Sequence, residues 1–255
     1  MSEAHYTTAS VSAARPGVRE RVVEWRIMGD AKILSVADRL EVLQTRIAAA
    51  LERAGRRDEV TLVAVSKSVE VDRIAEAYRT GLRHFGENRV QEFEDKRRLL
   101  NLPSAVWHMV GHLQSNKARR AAEIFHTVDS VDTENVAAKL SAAAASAGRR
   151  LPVLIQVDLA GEETKSGVAP DELDTFAGKL AALEGLEVRG LMTIPPFLEP
   201  PERVRPYFKR LRELAEILRL PELSMGMSHD FEVAVEEGAT QVRIGTALFG
   251  ERPRR

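Results

Sequence analysis

From Thr61 to Ile244 the chain repeats one pattern: a short, β-branched apolar run, a polar break, then apolar residues at helical spacing. The runs lack a polar face, so each reads as a strand buried on both sides. Strands are expected at Thr61–Ser66, Arg83–Gly86, Val106–Val110, Thr127–Val131, Pro152–Leu159, Val188–Ile194, Leu223–Met227 and Gln241–Ile244. Helices are expected between them at Val69–Thr80, Val90–Leu100, Ser115–Ile124, Glu134–Ala147, Pro170–Leu183, Pro201–Leu218 and His229–Glu237. Strands joined by helical crossovers pair in parallel, and eight such units favour a closed (β/α)8 barrel over an open doubly wound sheet. One more helix precedes the first strand, from Ser35 to Ala54. Leu40, Leu43, Ile47, Ala50 and Leu51 form its stripe, and Gly55 stops it.

No linker interrupts the repeats, so the α/β fold is expected to be a single domain covering residues 28–255. Residues 1–27 are expected to be disordered: "MSEAHYTTASVSAARPG" carries small and polar residues and no sustained period, and Met28 is an alternative start. A hydrophobic share of 44% beside 29% charged residues is that of an ordinary soluble protein. The net charge of -1 gives no electrostatic case for nucleic acid or an anionic membrane. The absence of cysteine rules out disulfides and thiolate metal sites, and fits the cytoplasm. No apolar run is long enough to span a bilayer or to form a signal-peptide core.

In a (β/α)8 barrel the carboxyl ends of the strands face one mouth, where the chemistry is placed. The first strand ends at Lys67 and the second at Glu87 and Asn88. The third leads to His112, Gln114, Asn116 and Lys117, and the fourth carries Asp129 and Ser130. Asp158 follows on the fifth, Met192 and Thr193 on the sixth, Ser224 to Ser228 on the seventh and Arg243 to Thr246 on the eighth. "SMGMS" and "RIGT" on the last two strands are small and hydroxyl-bearing, as a phosphate seat built from backbone N–H groups requires. Ser228 alone reads as the N-cap of the helix that follows it. His108 and His112 share a strand face, but no third ligand accompanies them and a metal site is not expected. Lys165, in "GEETKSG", reads as a solvated loop residue.

A lysine enclosed by strand ends loses hydration, which favours its neutral, nucleophilic form. Facing a phosphate seat, such a lysine points to a phosphorylated aldehyde held as a Schiff base, with pyridoxal 5'-phosphate as the natural candidate. Arg243 would then approach the pyridine nitrogen, keep a proton off it and make the ring a poor electron sink.

The segments "LVAVSK", "HFGENRVQE", "GHLQSNK", "VDLAGEETKSG", "GLMTI", "LSMGMSHD" and "VRIGTALFG" resemble, in order, the motifs of the pyridoxal phosphate homeostasis proteins. These are single-barrel relatives of the alanine racemase amino-terminal domain, of fold type III among pyridoxal phosphate proteins. The resemblance runs from about Ser35 to Glu251. It implies that Lys67 carries the cofactor, that Ser224, Gly245 and Thr246 hold its phosphate, and that Arg243 meets the pyridine nitrogen. Asn88, His112 and Met192 complete the expected cofactor-binding set. The chain departs from the family pattern in lacking a proline shortly after the lysine and in carrying Arg89 where tyrosine is frequent.

Two functions compete. One is a non-catalytic, monomeric carrier that binds pyridoxal phosphate and delivers it to apo-enzymes. The other is an amino-acid racemase on the same barrel. A racemase needs a second base, and Tyr6, Tyr78 and Tyr207 all fall away from the strand ends. The barrel pattern ends at Gly250, leaving little sequence for a second domain. A barrel lyase or aldolase working through Lys67 stands third. The carrier is the expectation, without strong catalytic activity.

Overall fold

The computed structural model describes residues 34–161 and 166–251. The expectations for residues 1–27 and for Lys165 lie outside the described residues.

The order of elements is the expected alternation. Helix α1 (Val36–Arg53) is followed by β1 (Thr61–Val65), α2 (Val71–Arg79), β2 (His84–Glu87), α3 (Val90–Leu99) and β3 (Val106–Met109). Next come α4 (Ala118–Ile124), β4 (Thr127–Val131), α5 (Glu134–Ser146), β5 (Leu151–Gln156), α6 (Leu173–Ala181) and β6 (Leu186–Met192). The chain closes with α7 (Arg205–Leu218), β7 (Glu222–Met227), α8 (Phe231–Glu236), β8 (Gln241–Ile244) and α9 (Thr246–Phe249). The eight strands form a closed parallel barrel in sequence order, with β1 paired to β8 from Thr61↔Gln241 to Ala64↔Ile244.

Differences from expectation sit at element ends. The helix expected from Pro201 opens as a 3-10 turn at Pro201–Val204, and the α-helix starts at Arg205 with Pro206 in its first turn, where a missing N–H is harmless. The short helix α9 carries no recognisable period and was not expected.

Strand alternation sorts the side chains into two layers. Leu62, Ala64, Phe85, Trp107 and Val242 face outward and join the helices in the main core. A Cβ placed on Gly86 would meet Val63 and Val110 at 3.1 and 3.3 Å, which places these residues on the barrel axis. Much of the axis is polar. His84 Nδ1 lies 2.9 Å from His108 Nε2, and His108 Nδ1 lies 2.8 Å from Asp129 Oδ2. Thr127 Oγ1 donates to the other carboxylate oxygen at 2.8 Å. Burial, reinforced by the neighbouring His108, brings the pKa of His84 down to about 4.

Helix α1 begins with a capping box. Ser35 Oγ accepts from the Asp38 N–H, and Asp38 accepts from the Ser35 N–H. Its apolar stripe (Leu40, Leu43, Ile47, Ala50) is fully inside the main core. Arg46–Glu232 at 2.7 Å and Arg53–Glu236 at 2.6 Å tie it to α8. Such half-exposed pairs contribute little energy, so the stripe supplies the attachment.

Candidate functional site at the barrel mouth

Ser66 continues the β1–β2 ladder, its N–H donating to Gly86 O at 2.9 Å, and the chain then turns sharply. Val69 N–H closes the turn on Ser66 O at 3.0 Å, with Lys67 and Ser68 at its corners. Ser68 has φ +57, a left-handed conformation that non-glycine residues rarely adopt. Ser66 faces the helix layer, where its hydroxyl donates to Glu87 Oε1 at 2.7 Å. Lys67 follows at the first corner of this turn, half-buried at the carboxyl end of β1.

Arg243 lies on β8, the strand paired to β1. It is fully buried on the axial side, where Nη1 donates to Ser224 Oγ and Nη2 to Thr193 O, each at 2.8 Å. Among the described residues no carboxylate reaches salt-bridge distance of it. Burial lowers its pKa to about 10, with Asp129 and Asp230 opposing that shift through their charge. The guanidinium therefore stays charged at neutral pH and retains N–H groups beyond those two bonds.

The turn after β8 holds Gly245 and Thr246, with Thr246 exposed at the start of α9. Ser228 Oγ reaches across from the β7 loop to accept the Ala247 N–H at 3.1 Å. This corrects the N-cap reading of Ser228: α8 starts only at Phe231, with Asp230 at its cap position, and Asp230 Oδ1 accepts the Met227 N–H at 2.6 Å. Ser228 thus belongs with Gly245 and Thr246, and Ser224 lies deeper, grouped with Arg243. Met192 is wholly buried beside Ser224 in register.

Asn88 is half-buried where β2 turns into α3, and Gly111 passes so close that a Cβ there would stand 2.5 Å from Asn88 O. His112 is on the rim, 55% exposed at its side chain, with Nδ1 3.2 Å from Asp132 Oδ2 and 2.9 Å from Ser166 Oγ. Burial raises the Asp132 pKa, and the charge of His112 partly opposes that rise. Several strand-end residues turn out to serve other ends. Glu87 points away from the mouth toward α3, Asp129 bonds His108 inside the barrel, and Ser130 donates to Gly111 O. Asp158 caps the N–H groups of Ala160 and Gly161. His108 and His112 do not converge, since the first is buried on the axis and the second is on the rim.

The mouth is therefore a half-buried lysine in the turn after β1, a buried arginine on β8 and small-residue turns after β7 and β8. Comparison with known proteins places this arrangement. The family model described as "Alanine racemase, N-terminal domain" matches residues 39–253. The pyridoxal phosphate homeostasis protein of Aquifex aeolicus is 47% identical over 226 residues, 86% of this chain and 99% of that protein. The protein of the same name from Escherichia coli K12 is 41% identical, over 85% of this chain and 97% of its own length. PipY of Synechococcus elongatus, solved with PLP bound, superposes with a TM-score of 0.76 at 40% identity, over 85% of this chain and all of that one. An alanine racemase from Bartonella henselae shares the fold at TM-score 0.63 and 16% identity, and this chain spans 60% of it.

Proposed function

This chain belongs to the pyridoxal phosphate homeostasis proteins, within the family of the alanine racemase amino-terminal domain, and from that premise we propose that it carries pyridoxal 5'-phosphate at the mouth of its barrel. The carrying observation is that the turn holding Lys67 follows β1 while the buried Arg243 lies on β8, the strand paired to β1.

The residues fit the cofactor. A buried, charged guanidinium with donors to spare suits a pyridine nitrogen that keeps its lone pair. The turn of Ser228, Gly245 and Thr246 offers hydroxyl and backbone N–H groups without bulk, as a phosphate demands. When bound, the cofactor supplies an aldehyde whose carbon joins an unprotonated amine with loss of the oxygen as water.

Lys67 Nζ provides that amine. Arg243 donates to the ring nitrogen and holds protons off it, while Ser224 and the Thr193 carbonyl fix the guanidinium's direction. Gly245 and Thr246 would hold the phosphate, joined by Ser228 in place of the expected Ser224, whose hydroxyl is taken up by Arg243. Asn88 and His112 flank the opening, and Met192 forms part of its floor. Tyr78 is on α2 and Tyr207 on α7, both outside the strand ends, so neither serves as a second acid–base group. A missing acid–base partner reduces rate by roughly 10²–10⁴-fold, and Arg243 further weakens ring assistance. In this proposal the protein delivers its cofactor to apo-enzymes, racemises amino acids only at trace level, and works as a cytoplasmic monomer.

The test is direct. Borohydride treatment of the loaded protein should fix the cofactor on Lys67, seen by peptide mass, and Lys67→Ala should abolish the adduct at this mouth. Mixing with an apo-enzyme should restore that enzyme's activity, while chiral analysis of L-alanine shows no more than trace inversion. Robust Lys67-dependent racemisation without transfer would overturn the carrier reading.

A further inference from the structure

Behind the Lys67 turn, on the side away from the mouth, is a buried ionic cluster. Lys96, in the middle of α3, is only 8% exposed, an unusual place for a lysine. Its ammonium donates to Ser66 O at 2.6 Å, to Glu87 Oε1 at 2.8 Å and to Glu92 Oε1 at 2.7 Å. Glu92 Oε1 in turn accepts the Ser68 N–H. The backbone is therefore gripped on both sides of Lys67: its preceding carbonyl by Lys96, its following N–H by Glu92. Burial raises the pKa of Glu87 against the pull of Lys96, and its Oε2 is buried without a partner among the described residues.

Burying Lys96 with Glu87 beneath one turn is costly unless the turn's geometry matters. The turn itself resists its shape, because Ser68 sits at φ +57 where glycine is the usual occupant. Without the Glu92 anchor, Ser68 would relax to negative φ and swing the Lys67 Cα–Cβ direction. We propose that Lys96 and Glu92 are positioning residues that aim Lys67 at the reacting carbon of its cofactor. The inference rests on the reading of Lys67 as the carrying residue and goes beyond it.

Four proteins separate the cases: wild type, Glu92→Ala, Glu92→Gln and the double variant Glu92→Ala/Ser68→Gly. Glu92 is partly exposed, and its removal leaves the Lys96–Glu87 pair intact, so the variant keeps its buried charges matched. Each is measured for covalent linkage of pyridoxal phosphate, by the borohydride-fixed fraction along a titration. Each is also measured for binding of pyridoxine 5'-phosphate, which has no aldehyde, by calorimetry. Glu92→Ala should bind pyridoxine 5'-phosphate within about threefold of wild type, yet link pyridoxal phosphate at least tenfold more weakly. Glu92→Gln keeps an acceptor for Ser68 and should link nearly as wild type. Glycine at 68 adopts positive φ without strain, so the double variant should recover most of the linkage. Linkage by Glu92→Ala equal to wild type, equal loss of both ligands, or no recovery in the double variant overturns the positioning role. Absence of linkage in the wild type overturns the reading of Lys67 and this inference with it.

Discussion

At the scale of single residues, the barrel axis concentrates charge where a small α/β barrel commonly stacks aliphatic side chains. Arg243 is the clearest case, and its removal should be felt by the ligand. A hydrogen bond to a charged group is worth about 1.5–3 kcal/mol, so Arg243→Gln should weaken pyridoxine 5'-phosphate binding about 10- to 100-fold by calorimetry. His84 makes a pH prediction. Folded, it stays neutral down to a pKa of about 4, whereas the unfolded chain takes up the proton near 6.5. Stability is thus intact above pH 6.5 and is lost as pH falls toward 4, by about 3 kcal/mol for this residue. Urea midpoints measured between pH 7 and 4 should fall steeply in the wild type and less so in His84→Gln. A slope unchanged by the substitution would refute the assignment. Arg243 was legible as a strand-end residue, but the meeting of His84 and His108 with Asp129 was not. His84 and His108 sit in strands as polar interruptions, and one sequence does not say that they meet Asp129 across the axis. Lys96 was equally hidden: within "EFEDKRR" it reads as part of a charged face, since its carboxylate partner Glu87 lies on a different element.

At the scale of elements, the sequence was far more informative. β-branched runs and helical stripes located eight strands and their intervening helices, because burial on both faces of a strand leaves a local pattern. Ends were harder to read, as at the 3-10 opening of α7, where a local turn competes with the helix. Gly226 shows why a motif needs the fold. In "SMGMS" it reads as room for a phosphate, but it has φ +88 and a Cβ there would come within 2.5 Å of Ala234 on α8. The close packing of helix against strand requires it. Gly226→Ala should lower stability by about 2–3 kcal/mol in denaturant titration, through both strain and overlap. The capping box of α1 makes a smaller claim: Ser35→Ala should reduce stability by about 1 kcal/mol, and Leu43→Ala by about 2–5 kcal/mol. If the two substitutions proved equal, the apolar stripe would not be the main attachment of α1.

At the scale of the whole molecule, the Aquifex aeolicus and Escherichia coli relatives are matched over 99% and 97% of their own lengths by 86% and 85% of this chain. A protein starting at Met28 should therefore fold and link the cofactor as the full chain does. A fall of several degrees in Tm on truncation would show that residues 1–27 contribute to the fold. The closure of the barrel carries a consequence for synthesis. Lys67 follows β1 and Arg243 lies on β8, the two strands that meet at the seam. On the ribosome, Lys67 emerges early and waits for nearly all of the barrel before β8 appears. A nascent piece that ends before β8 lacks both Arg243 and the turn of Gly245 and Thr246. A reactive aldehyde thus has nothing to lodge in until translation is all but finished, and the capacity to hold it arrives in one step with the last strand.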